Sequence, residues 1–89
     1  DQAEALEIKN NRFYTLSFFE EIALIIGPEC FKKNLNFYLN IDTQIPKQLI
    51  GDEVKIRQII LNLLRNALKY TTHGHIALNI KLVKYLTSK

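Results

Sequence analysis

Two stretches of the chain alternate apolar and polar residues, and two others repeat apolar residues at helical spacing. Within 34–42, Leu35, Phe37, Leu39 and Ile41 fall on one side and Asn36, Tyr38 and Asn40 on the other, the pattern of a half-buried strand. A second alternation, Ile76, Leu78, Ile80 and Leu82, predicts a strand after Gly74, extended by 83–86. Near the start, Phe13-Tyr14-Thr15 predicts a short strand, following a helical stretch broken at Asn10-Asn11. Ser17-Phe18-Phe19-Glu20 has the spacing of a capping box and predicts the start of a helix whose Leu16, Phe19, Ile22, Ala23 and Ile26 face the sheet. Gly27-Pro28 interrupts it, and because Cys30, Phe31 and Lys32 continue the pattern, a kink is expected there instead of an end. Pro46 assigns 43–51 to a connecting loop.

The second helix is predicted from Asp52, as its N-cap, to Thr71. At about 100° per residue, Ile56, Ile59, Ile60, Leu63, Leu64, Ala67 and Leu68 gather on one broad side, while Asn62, Asn66 and Lys69 fall opposite. Asparagine inside a helix is mildly unfavourable, because its amide competes for backbone hydrogen bonds. Two of them one turn apart beside a lysine are an unusual choice for a face that only meets water, where lysine, glutamate or arginine serves better. Spacing alone leaves both a solvated face and a binding face open. The element order is strand, helix, strand, helix, strand.

Composition narrows the classes. The chain has 89 residues, one small domain or part of one, and its 47% apolar content suffices for a core, although so short a chain buries a smaller share of its surface than a larger domain. A net charge of +3, dispersed and without basic runs interleaved with aromatics, argues against a nucleic-acid binder. Cys30 is the only cysteine, so no disulfide framework exists within one chain; a small buried hydrophobe in a reducing, cytoplasmic compartment is expected. No apolar run reaches the length of a bilayer span, and the acidic start does not resemble a signal peptide. His73 and His75 suggest a metal by their proximity, but no further cysteine or carboxylate completes a site, and a solvated turn is expected.

The polar face of the second helix carries a resemblance. Asn62, Asn66, Ala67, Lys69, Tyr70 and Thr71 match, position by position, the N box of the histidine kinase ATPase domain, in the superfamily that also holds DNA gyrase, MutL and heat-shock chaperone ATPases. The lead-in Pro46, Gly51-Asp52, Lys55-Ile56 and Gln58-Ile59 and the exit Gly74-His75-Ile76 are similar to the family's pattern, and the likeness runs from about Phe13 to Leu82. Lys55 stands where arginine is usual, which keeps the charge and loses a bidentate fork.

The resemblance implies an α+β fold, the opening part of the family's two-layer α/β sandwich, with 12–89 as the amino-terminal half of the ATPase domain and 1–11 as the end of a dimerisation helix or linker. It implies ATP and Mg as cofactors. Asn66 would offer a neutral amide oxygen to Mg²⁺ bridging the phosphates, Lys69 a positive charge to the phosphates, and Tyr70 an aromatic face beside the nucleoside. Asn62 occupies the catalytic position where hydrolytic relatives place a glutamate; an amide cannot act as a general base, so phosphoryl transfer to a protein histidine is implied over hydrolysis. Arg65 and Lys55 either add positive potential or are solvated-face charges.

The partners implied are ATP, a dimerisation and phosphoacceptor domain, a response regulator and a second copy of the parent. The family's Asp-x-Gly-x-Gly box, its lid and its phosphoacceptor histidine are not matched: the three glycines, Gly27, Gly51 and Gly74, are isolated. A fragment or truncated homologue, inactive alone, is therefore expected. The competing readings are a degenerate ATPase-like interaction module and, against the evidence of Asn62, a gyrase- or chaperone-type ATPase.

Overall fold

The computed structural model describes residues 9–83, so the helical stretch expected before Lys9 and the extension at 84–86 lie outside the described residues. In chain order the elements are β1 (Asn11–Tyr14), α1 (Thr15–Lys32), β2 (Asn36–Ile41), β3 (Gln48–Gly51), α2 (Glu53–Tyr70) and β4 (His75–Ile80). The α+β class holds. The expected order gains one strand, β3, within the segment read as a loop.

Strand β3 pairs antiparallel with β1, Asn11 opposite Gly51 and Tyr14 opposite Gln48. Only Leu49 turns toward the core, while Ile50 is exposed, so the four-residue strand shows too little alternation to separate it from a proline-containing loop. Gly51 packs closely on α2: a Cβ there would stand 3.1 Å from Ile56 Cδ1, so a larger residue would displace that methyl by a few tenths of an ångström. Beginning at Asn11, β1 also takes in the residue expected to close the preceding linker.

Helix α1 starts at Thr15, two residues before the expected capping box. The chain passes from strand to helix without a loop, because Thr15 N–H donates to Lys47 C=O at 2.9 Å and its hydroxyl to Pro46 C=O at 2.6 Å. Those bonds make Thr15 at once the last pairing residue beside β3 and the first residue of the helix. Ser17 consequently falls inside the first turn and no side chain caps α1. Leu16, expected in the core, is exposed, and Phe18, not expected there, is buried. The helix runs through Pro28 without ending, as expected; the proline leaves the Leu24 carbonyl without its helical donor, on a turn where Leu24 is exposed.

A Schellman motif ends α1. Leu35 N–H donates to Cys30 C=O and Asn34 N–H to Phe31 C=O, with Asn34 left-handed at φ 60°. The chain then enters β2, parallel to β4 with Phe37 opposite Ile76, Leu39 opposite Leu78 and Ile41 opposite Ile80. Those pairs face the helices. The opposite face is polar, with Asn40 Nδ2 donating to Asn79 Oδ1 at 2.9 Å. Instead of the one sheet expected, two separate two-stranded ladders result, β1–β3 and β2–β4. The alternation expected to reach Leu82 stops at Ile80, where Asp42 replaces the ladder: its N–H donates to Ile80 C=O and its carboxylate accepts Leu82 N–H.

The core is Phe13, Phe18, Phe19, Ile22, Ile26 and Cys30, closed by Leu35, Leu64, Leu68 and Ile76. Phe18 links the β1–β3 ladder to α1, its ring centroid 4.9 Å from both Phe13 and Phe19. Because Asn34 is left-handed, Asn34→Ala is expected to destabilise the fold by roughly 1 kcal/mol, whereas Asn34→Gly is tolerated. Urea unfolding of the two variants checks this, and equal midpoints would mean that the motif does not govern the end of α1.

Candidate functional site

Helix α2 is built from its start to present a face. Asp52, extended at φ −88° and ψ 92°, accepts Lys55 N–H at 3.2 Å and caps the helix as expected. The same carboxylate accepts Lys9 N–H at 3.1 Å, which ties the segment entering β1 to the head of α2. These two backbone donors, Lys9 first, hold the Asp52 carboxyl below its ordinary range.

Asn62, Asn66, Lys69 and Tyr70 occupy the second half of α2 and are all exposed, Tyr70 by 75%. The structure thus brings the four sequence-predicted residues onto the solvent side of one helix, with the two amides about 6 Å apart along the axis. Neither amide hydrogen-bonds to another side chain among the described residues. The Lys69 ammonium lies 5.4 Å from the Tyr70 ring centroid.

The other side of α2 is narrower than its apolar pattern suggests. Leu64 and Leu68 are buried and Ile56, Ile60 and Leu61 partly so, but Ile59, Leu63 and Ala67, expected in the core, are exposed. The reason is geometric: α1 and β4 cover the arc centred on Leu64 and Leu68, and among the described residues the rest of a wide apolar stripe has nothing to pack on. Ile59, Leu63 and Tyr70 therefore form an apolar flank beside the polar row Asn62, Asn66 and Lys69.

The end of α2 is held from two directions. Thr71 N–H donates to Ala67 C=O at 3.0 Å and its hydroxyl to the same oxygen at 2.7 Å. From the end of α1, the Lys33 ammonium donates to Leu68 C=O. Lys33 carries no motif, and only the packing of the two helices reveals its contact.

Arg65 is turned away from the asparagine face, pairing with Glu29 of α1 at 3.4 Å. Arg57 pairs with Glu53 at 2.9 Å and Glu21 at 3.7 Å, and its guanidinium stacks 5.3 Å from the Phe18 ring centroid, leaving its buried Nε without a partner among the described residues. Lys55 lines a shallow groove with Lys9, Asn11, Asp52 and Gln58 at the head of α2, about 20 Å along the axis from Lys69.

His75 is engaged with Tyr38, ring centroids 5.5 Å apart, and His73 Nδ1 with the Thr72 hydroxyl at 3.0 Å. Among the described residues, no three His, Cys, Asp or Glu converge. Cys30 is fully buried, and burial raises its thiol pKa, as suits a packing residue. A cleft of about 440 Å³ at the start of α1, lined by Tyr14, Leu16, Ile41, Ile45 and Pro46, includes none of the four predicted site residues. No described helix is long and apolar enough to cross a membrane.

No protein-family model matches the chain. It is 37% identical over 82 residues to hybrid signal transduction histidine kinase F of Dictyostelium discoideum, covering 92% of this chain and 7% of that protein. Hybrid signal transduction histidine kinase B of the same organism is 33% identical over 81 residues, 91% of this chain and 4% of its own length. The sensory/regulatory protein RpfC of Xanthomonas campestris is 30% identical over 82 residues, 92% of this chain and 11% of its own. Among solved structures, histidine kinase ThkA, in complex with the response regulator protein TrrA, superposes with a TM-score of 0.70 at 21% identity, over 88% of this chain and 24% of ThkA. The chain is thus homologous to a segment of histidine kinases and spans between 4% and 11% of the length of these curated relatives.

Asp52 gives the stability of the fold a pH dependence. Its pKa is lowered in the fold from an ordinary 3.8, so the stability it contributes is complete above that value and is lost as pH falls through the lower folded value. Asp52→Asn, which keeps a capping oxygen, is expected to flatten the acid limb of a plot of urea midpoint against pH. An acid limb of unchanged slope would remove Asp52 from this role.

Proposed function

We propose that this segment is part of the ATP- and Mg-binding catalytic domain of a two-component sensor histidine kinase, whose parent transfers the γ-phosphoryl group of ATP to a protein histidine. The observation that carries the reading is the joint exposure of Asn62, Asn66, Lys69 and Tyr70 on one end of α2, spent neither on the core nor on ion pairs with α1. Their chemistry fits the groups implied. Asn66 would offer an amide oxygen suited to a hard cation held together with the nucleotide phosphates. Bound magnesium would neutralise charge on the phosphates.

Lys69 adds a cation to the phosphate side, and Tyr70, with the apolar flank of Ile59 and Leu63, offers a surface for the nucleoside. Asn62 holds the catalytic position without a base, which favours transfer to a histidine over activation of water. In this reading 12–89 is the amino-terminal half of the ATPase domain and 1–11 the end of a dimerisation helix or linker. The parent is a cytoplasmic or membrane-anchored homodimer acting on a response regulator, and the segment alone binds ATP weakly or not at all.

The full-length polypeptide provides the test. Asn66→Ala and Lys69→Ala are each expected to weaken Mg·ATP binding by about 1.5 to 3 kcal/mol, the worth of a hydrogen bond to a charged group. Calorimetric titration reads the change, and affinity preserved in both variants would sink the reading.

A further inference from the structure

We propose that Lys33 is a positioning residue of the nucleotide site, holding the last turn of α2 in the orientation that presents Lys69 and Tyr70. The inference rests on the nucleotide-binding reading and concerns how that site is kept in shape.

The last four carbonyls of a helix have no partner within it, so its final turn frays unless something outside holds it. In α2 these are the carbonyls of 67–70. Thr71 satisfies Ala67 twice, through its N–H and its hydroxyl. Leu68 C=O, the oxygen of the peptide that joins Leu68 to Lys69, receives the Lys33 ammonium. Lys69 and Tyr70 are exposed and have no tertiary anchor of their own among the described residues, so the orientation of that peptide decides where both side chains begin.

Lys33 is suited to this because its own backbone is fixed. It is the C-cap of α1, followed by left-handed Asn34, and the Schellman bonds from Asn34 and Leu35 fix the backbone on either side of it. Its positive charge also complements the negative end of the α2 dipole. The contact closes a series along the two helices, which run side by side in the same direction: Arg57 with Glu21, Arg65 with Glu29, then Leu68 with Lys33. A slip of α2 by one turn would break all three. The first two are ion pairs away from the asparagine face, whereas only the third grips the turn that carries Lys69 and Tyr70.

The test uses the full-length polypeptide with Lys33→Met, Lys33→Arg and Asn66→Ala, measuring Mg·ATP affinity well below the unfolding midpoint and amide hydrogen exchange at 69–72. Lys33→Met is expected to weaken Mg·ATP about five- to tenfold and to speed exchange at 69–72 while the α1 amides stay protected, and Lys33→Arg to restore both. Affinity unchanged in Lys33→Met but lost in Asn66→Ala overturns the inference and leaves the nucleotide reading standing. Affinity lost equally in Lys33→Met and Lys33→Arg also overturns it, since packing, not the cationic cap, would then be responsible. Affinity unchanged in Asn66→Ala overturns the nucleotide reading and the inference with it.

Discussion

The buried face of α1 is the surface on which everything else rests. Phe18, Phe19, Ile22, Ile26 and Cys30 line one side of that helix, and each ladder and α2 packs on some part of it. Complete burial of a large apolar side chain is worth about 1.5 to 3 kcal/mol, whereas a two-stranded ladder is marginal by itself in water. Neither β1–β3 nor β2–β4 has a third strand among the described residues, so both are stabilised chiefly through their contact with α1. Phe18 is central, touching Phe13 of one ladder, its neighbour Phe19 and the Arg57 guanidinium of α2.

With α1 fixed, α2 has two sides with different tasks. The arc of Leu64 and Leu68 anchors it, and the matched charges on Arg57, Arg65, Glu21 and Glu29 set its position along α1. Partly exposed ion pairs of this kind add little stability each, but they penalise the wrong register. The opposite side is then free to carry residues poorly suited to a merely solvated helix: Asn62 and Asn66, with a flank of Ile59, Leu63 and Tyr70. Local helix preference is sacrificed there, which is where a functional surface is expected to break a local rule.

Much of this was legible because the periods were long and clean. The strands β2 and β4 alternate over six residues and pair with their apolar positions in register, and Asp52 marks the start of α2 as a cap should. Short or shared elements were not legible. β3 has four residues with one facing inward, and the start of α1 moved from Ser17 to Thr15 because bonds to Pro46 and Lys47, distant in sequence, take over that end. Asp42, one residue past the end of β2, likewise stops β4 at Ile80 by bonding Ile80 C=O and Leu82 N–H, which no pattern in 76–82 reveals.

For the site, the sequence by itself determined which residues share the exposed end of a helix. Asn62, Asn66 and Lys69 are spaced by four and then three residues, and helical geometry alone then puts them on one side. Only the tertiary structure decided what that side includes and how it is held. Ile59 and Leu63 are apolar at helical spacing and read as core; whether they are buried depends on how wide an arc α1 and β4 cover, which is a property of packing. Lys33 shows no signal in its own neighbourhood, since its contact with Leu68 exists only once two helices far apart in sequence lie side by side. Periodicity is local and therefore readable, while coverage and capping across elements arise only when the chain closes on itself.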